Sequence, residues 1–416
     1  MEKNYFGSIE FGACYTTCVV VSYFQNKINV VASCMVPTNG YYDGTITDND
    51  AFLATIENVV SEISRKYKIT LDEVILVLPN NNHRIYSAYV SNKVLTERQI
   101  IGKQQVDAIR NQIKSAKVND GEILVEEVPT KFTLDGERAL RSAPINYQSS
   151  ILAIESNVHT LPRFVVESLK NALTEAKINV IGQVVNCNCG AVATTDKYGL
   201  ENACIHINIG QEVTTISSFA KGFLIKSNTL NFGFETLICK LAHTLKVEKE
   251  FAKELFESYF VANVDYASDV IFDEERNLSE KRISGIILNN VYNGFNLILE
   301  ECDRLTNDPS FKEQASYLLT GWLNDYEYFF EEFCKYTDVK IKKGIIDVIG
   351  LDQQAYVNCY GALLSFFKNN KEVIESRIEN EGEIDFTTSI PTFNPTKQSP
   401  GTNNESSSRF KDIFDD

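Results

Sequence analysis

A two-lobed α/β fold is predicted by three features of this 416-residue sequence. The first is a repeated strand–turn–strand unit. Residues 5–11 (YFGSIEF) lead through Gly12 to 18–24 (CVVVSYF), and residues 203–209 (ACIHINI) lead through Gly210 to 213–219 (VTTISSF). In each copy the second β-run follows its glycine too closely for a crossover helix, so each copy is a β-hairpin rather than the start of one doubly wound sheet. The second feature is a set of amphipathic helices between the β-runs. The third is composition: 44% apolar and 23% charged residues suit a globular chain long enough for more than one core.

The elements follow in order. Residues 50–67 place Phe52, Ile56, Val59 and Ile63 at helical spacing, and residues 73–78 (EVILVL) read as a buried strand closed by Pro79. Residues 83–163 differ in texture, with short strands, one helix near 96–117, and turns at Asp120-Gly121 and Asp135-Gly136. This stretch reads as an inserted subdomain. A helix over 162–177 begins at Pro162 and puts Val166, Leu169 and Leu173 on one face. Two long helices are expected over 235–260 (Leu237, Leu241, Leu245) and 279–302 (Ile283, Ile287, Val291, Leu297). From residue 381 the periodicity fades, and Pro391, Pro395 and Pro400 lie among Ser, Thr and Asn, so 381–407 is expected to be a flexible linker. The chain ends in SSSRFKDIFDD, where Ser408 is expected to cap a short amphipathic helix with Phe410, Ile413 and Phe414 on one face.

Charge and motif content exclude several functions. Asp plus Glu number 56 against 40 Lys plus Arg, a formal charge of -16, and a field of that sign repels phosphate backbones, so no nucleic-acid partner is expected. No apolar run is long enough to span a bilayer. The apolar Cys18–Val21 run follows Glu2 and Glu10 and reads as a strand, not a signal peptide. The ten cysteines are scattered without a CxxC pair, and Cys187 and Cys189 lack a second pair or a nearby His, which points to buried thiols in a reducing cytoplasm and to no metal site. His83, His159, His206 and His243 have no nucleophile partner in sequence and read as structural. No motif for a hydrolase, zinc protease, P-loop or EF-hand is present, and no catalytic residue is predicted.

A set of segments in a fixed order resembles FtsA, the actin-like bacterial division protein that tethers the tubulin-like FtsZ ring to the inner membrane. These are VPTKFTLDGERALRSAP (128–144), QVVNCNCGAVATTDKYGLENACIHINIG (183–210), SYLLTG (316–321), VKIKKG (339–344) and YVNCYGALLSF (356–366). The resemblance implies an actin-like, ribonuclease-H-like two-lobed fold with an FtsA-type 1C insertion. It divides the chain into subdomain 1A (1–82, 164–199, 344–380), 1C (83–163), 2A (200–234, 303–343) and 2B (235–302), followed by the 381–407 linker and the 408–416 tail.

The same resemblance implies ATP with Mg between the lobes, with the hairpin turns offering backbone amides to the phosphates. The positions that match are Glu10, Gly12, Asn208, Gly210, Gly233 and Gly321. This sequence departs from the family pattern in four elements together. Glu10 stands for an Asp, and Ala13-Cys14-Tyr15 stand for hydroxyls and a phosphate-reaching Lys. Asn208 stands for an Asp, with Gln211-Glu212 in place of glycines. Thr320-Gly321-Trp322 stands for Thr-Gly-Gly, and Asn231-Phe232-Gly233-Phe234 keeps one glycine of a pair. The expectation is a relaxed or reshaped pocket with weak ATP binding and at most a vestigial or weak ATPase.

For partners, the resemblance implies FtsZ, whose C-terminal peptide docks on 2B, self-association into filaments, and peripheral membrane contact through the tail. Lys281, Arg282 and Asn290, on the 279–302 helix, are the candidate peptide contacts; Lys246 and Lys249 lie nearby in sequence. Phe410, Ile413 and Phe414 are the candidate tail contacts, beside a net acidic run. The implied location is the cytoplasmic face of the membrane at the division site. The alternatives on the same fold are a pilus-type or shape-determining scaffold, and a small-molecule kinase such as a sugar or acetate kinase.

Overall fold

The computed structural model describes residues 5–24, 27–96, 98–116, 118–195, 199–260, 266–306, 309–370, 374 and 409–412. They form two compact units, one made of residues 1–81, 171–180 and 184–372, the other of residues 82–170, 181–183 and 373–416.

The first unit contains two five-stranded sheets of the same topology. One runs Asn179–Val185, Glu73–Leu78, Tyr5–Phe11, Tyr15–Phe24, Lys27–Pro37. The other runs Ile341–Lys343, Ser316–Gly321, Cys204–Ile209, Thr214–Ala220, Phe223–Leu230. In each, a glycine hairpin opens the sheet: Ile9 faces Cys18 across the first, and Ile207 faces Ile216 across the second. A third antiparallel strand extends one side, and a parallel strand lies on the other, Tyr5–Phe11 beside Glu73–Leu78 and Cys204–Ile209 beside Ser316–Gly321. The hairpin repeat expected from sequence is thus a repeat of whole sheets. Every residue of Cys204–Ile209 is buried, as a strand covered on both faces requires.

Two helices join these sheets. Val357–Asn369 packs on the first and Asn186–Thr194 on the second, and they pack on each other. Gly361 makes that crossing possible, because a Cβ there would lie 1.9 Å from the Cys189 carbonyl oxygen. The helix Asn49–Tyr67 covers the first sheet with Phe52, Ile56, Val59 and Ile63, its Asp48 cap accepting the Ala51 amide at 3.1 Å.

The helix expected over 235–260 is two helices, Phe234–Leu245 and Lys249–Tyr259. Lys246 adopts φ 56°, its N–H reaching the Ala242 carbonyl, and the Val247 N–H bonds that same carbonyl at 3.0 Å. That Schellman-type end needs no glycine, so the apolar period ran through it undetected. The helix Glu280–Leu305 runs slightly longer than expected, capped by Ser279. It buries Phe295 against Phe333, rings 4.3 Å apart, in a core shared with Phe234 and Phe256.

The second unit is a sheet ordered Arg409–Asp412, Arg84–Lys93, Ile151–Pro162, Glu122–Leu134, Arg138–Leu140. The helix Lys103–Lys114, shorter than the expected 96–117, lays Val106, Ile109 and Ile113 against Ala88, Phe132 and Ile154. Asp135 and Gly136 both adopt positive φ and close the tight turn read from Asp-Gly. Asp135 Oδ1 accepts the amides of Ser150 and Ile151 at 2.9 and 3.0 Å. His83 and His159, which looked isolated in sequence, meet in this unit with ring nitrogens 3.0 Å apart. Burial keeps both neutral, His159 being pushed down to about 4.

The tail corrects an expectation. Arg409–Asp412, including Phe410, is a strand antiparallel to Arg84–Lys93, Phe410 opposite Ala88, and not a helix. A helix of two turns is marginal alone, whereas an open sheet edge offers ready backbone partners. The linker 381–407, Ser408, Ile413 and Phe414 lie outside the described residues.

Candidate functional site

Within the first unit the two glycine turns have the same geometry. The Gly12 N–H donates to the Tyr15 carbonyl at 3.1 Å, and the Gly210 N–H donates to the Val213 carbonyl at 2.9 Å. Neither bond uses the amides between the glycine and the second strand, which stay available to another acceptor. Glu10, Gly12, Asn208, Gly210 and Gly321 line one cavity of about 110 Å³, together with Tyr15, Gln211, Trp322, Gln354 and Asn358. Gly233 is not among its walls. It lies behind the second turn, where a Cβ would come within 2.6 Å of the Gln211 carbonyl oxygen, and the helix it starts donates the Glu235 amide to that oxygen at 2.7 Å.

Protein side chains occupy the space these turns enclose. Gln211 reaches from the second turn to the first, its Oε1 accepting the amides of both Cys14 and Tyr15 at 2.9 Å, and its Nε2 donating to the Tyr15 carbonyl at 3.4 Å. The Tyr15 ring stacks on Trp322 with centroids 5.4 Å apart and planes 14° from parallel. Lys253 donates to the Tyr15 hydroxyl at 2.9 Å. Trp322 leans on Phe234, which stacks on Tyr326. Gly321 is held at φ +98°, and a Cβ there would strike Asn208 Oδ1 and the Ile209 carbonyl, both at 2.4 Å, so glycine is required whether or not a ligand is present.

A polar chain crosses the floor. Asn208 donates to Asn358 Oδ1 at 2.9 Å, and Asn358 donates to Glu10 Oε1 at 2.8 Å, joining the end of one first strand to the end of the other. Burial pushes the Glu10 carboxyl up to about 7, against the pull of hydrogen bonds from Asn358 and Asn186. Gln354 closes another side, accepting the Gly321 amide at 3.2 Å and donating to the Gly344 carbonyl at 2.9 Å. Burial, with the Asp43 and Glu235 carboxylates, pushes Glu212 up to about 7. The Cys14 thiol donates to Glu235 at 2.9 Å, and burial followed by that contact raises its pKa, which makes it a poor nucleophile. His206 is fully buried on Thr320 Oγ1 at 2.7 Å and pushed down to about 3 by burial, so it is structural and neutral.

A second cavity, about 650 Å³, shares Ala13, Asp43, Glu212 and Val213 with the first. It extends along Phe234–Leu245 past Lys240 and His243 to Asn290. Lys249 belongs to its wall but is ion-paired with Glu235. The structure does not bring Lys281 and Arg282 together with Asn290. Lys281 and Asn290 are nine residues apart, on opposite faces of one helix and about 13 Å apart along it. Lys281 pairs with Asp269 at 3.1 Å, and Arg282 donates to the Arg276 and Asn277 carbonyls at 3.0 and 2.7 Å. Beside them lie the exposed apolar residues Val270, Ile271 and Phe272, a feature the helix-centred reading of the sequence missed.

Sequence reasoning also missed Asn358, Gln354 and Lys253, and it read Gln211 only as a lost glycine. Tyr15 and Trp322 were each visible as large residues in place of expected ones. The signal that the two compensate lies in their being placed on facing turns.

No protein-family model matches the chain. The cell division protein FtsA of Agrobacterium fabrum is 25% identical over 235 residues, 55% of this chain and 51% of that protein. FtsA of Staphylococcus epidermidis is 21% identical over 330 residues, 77% of this chain and 70% of that protein. Against the former, the matched stretch spans about half the relative's length. Among solved structures, the PilM–PilN type IV pilus biogenesis complex matches with a TM-score of 0.60 at 14% identity, over 86% of this chain and 97% of that one. The fold is actin-like, and the sequence is similar to FtsA proteins at 21–25% identity over 55–77% of the chain. Among the described residues no helix is long and apolar enough to cross a membrane.

Proposed function

We propose that this chain is a cell-division scaffold of the FtsA kind, which takes the C-terminal peptide of FtsZ on its 2B subdomain, associates with its own copies and performs no metabolic reaction. The observation that carries this reading is the ordered similarity to FtsA proteins, which reaches across most of the chain. The likeness to PilM is one of fold and does not choose a partner. The subdomain boundaries implied by the resemblance are part of this proposal: 1A as residues 1–82 with 164–199 and 344–380, 1C as 83–163, 2A as 200–234 with 303–343, and 2B as 235–302.

The surface proposed for the peptide is the strand Ile271–Asp273 with the start of Glu280–Leu305. Val270, Ile271 and Phe272 are exposed there beside Lys281, which pairs with Asp269, and Arg282, an apolar strip with a margin of mixed charge. Such a surface suits a short peptide with apolar anchors, the anchors supplying most of the affinity. Asn290, facing the second cavity, is outside it.

The test is fluorescence anisotropy of a labelled FtsZ C-terminal peptide from the same organism. Saturable binding is expected, weakened about tenfold or more by Lys281→Glu with Arg282→Glu, a loss of about 1.4 kcal/mol. Binding unchanged by that pair would remove this surface from the proposal, and no binding would remove the adaptor reading. Membrane contact at the inner face of the division site is assigned to residues 408–416. Co-sedimentation with anionic vesicles is expected to fall to background when they are deleted.

A further inference from the structure

We propose that the cleft between the two sheets of the first unit is liganded from within: Gln211 takes the seat an anion would take on the first turn, and the lobes are latched by side chains in place of a nucleotide. This goes beyond the scaffold reading and does not depend on it.

Three observations converge. The amides of Cys14 and Tyr15 are the donors a phosphate would need, and one carboxamide oxygen accepts both at 2.9 Å. Gln211 lies on the opposite turn, so this contact bridges the sheets. The flat space beside it is filled by the Tyr15–Trp322 stack, pinned by Lys253. The space left between the turns is about 110 Å³, against roughly 300–1,000 Å³ for a pocket that buries a small-molecule ligand, and the 650 Å³ cavity that adjoins it is lined by Asp43, Glu212 and Glu235.

The charge pattern agrees with the packing. A polyphosphate entering from the larger cavity would pass the carboxylates of Asp43, Glu212 and Glu235. That wall also carries two lysines, Lys240 and Lys249, of which Lys249 is paired with Glu235. Glu10 and Asn208, the positions where the family pattern has metal-orienting acids, are tied to each other through Asn358. The residues present therefore do not fit ATP with Mg. Gln211, Tyr15 and Trp322 act as one unit that replaces the ligand: the amide seat is filled, the stacking space is filled, and the two turns are joined.

The test uses the full chain in two measurements. In equilibrium dialysis with radiolabelled ATP and Mg²⁺, and separately ADP, the wild type is expected to show no saturable binding up to millimolar nucleotide. Stoichiometric binding with a micromolar Kd would overturn the proposal. In amide hydrogen exchange without nucleotide, Cys14 and Tyr15 are expected to be protected in the wild type and to exchange about tenfold faster in Gln211→Ala, the loss of about one hydrogen bond. Unchanged exchange at Ile9 and Ile207 shows that the variant keeps its two sheets. Equal Cys14 and Tyr15 exchange rates in the two proteins would overturn the latch, and the dialysis result stands whether or not the variant folds.

Discussion

Glu10 ends the first strand with a carboxyl that accepts from Asn358 and is pushed up to about 7 by burial. Its ordinary value is 4.5. The native state therefore holds this proton more tightly than the unfolded chain does. Stability from this group is greatest below about pH 4.5, falls as pH rises between 4.5 and 7, and is flat above. Glu10→Gln keeps an acceptor for Asn358 and removes the charge. The variant is expected to gain about 1–3 kcal/mol relative to wild type at pH 8 and to lose most of that advantage by pH 5. Urea unfolding at both pH values measures the difference; an equal offset at both would show that Glu10 does not titrate in this range. Glu212 and Asp325 are raised by burial in the same direction, so the variant keeps part of the wild-type pH dependence.

Gly361 shows how closely the central elements approach. A methyl group at 1.9 Å from the Cys189 carbonyl forces Val357–Asn369 away from Asn186–Thr194. Gly361→Ala is expected to destabilise by at least about 1–3 kcal/mol, despite alanine's better helix propensity, because overpacking here meets backbone. A urea midpoint equal to wild type would contradict that crossing. The sequence made the strands legible because a glycine between two apolar β-runs has few other readings, and Tyr5–Phe11 and Cys204–Ile209 fall where the pattern puts them. The break at Lys246 was not legible, since its left-handed end uses a lysine and leaves the apolar period intact. Nor was the pairing of Arg409–Asp412 with Arg84–Lys93, because strand addition at an edge depends on the partner's free backbone and not on local periodicity.

At the cleft, legibility stopped at single positions. Tyr15, Gln211 and Trp322 stood out as residues foreign to a phosphate turn, but their mutual contacts join positions far apart in sequence, Cys14 and Tyr15 to Gln211 and Tyr15 to Trp322. No local pattern encodes such a pairing. Positions that read as erosion in the sequence hold side chains that contact one another across the turns.

The molecule that emerges pairs two like sheets, latched within one unit, with an exposed apolar strip beside Lys281 and Arg282. With the proposed side-chain latch in the place of a nucleotide, partner binding is expected to be indifferent to ATP. The deciding measurement is an anisotropy titration of the FtsZ C-terminal peptide with the full chain, run without nucleotide and again with millimolar ATP and Mg²⁺. Two superimposable saturating curves are expected. Binding that appears only with ATP, or none in either titration up to high micromolar protein, would contradict a division scaffold that works without a nucleotide.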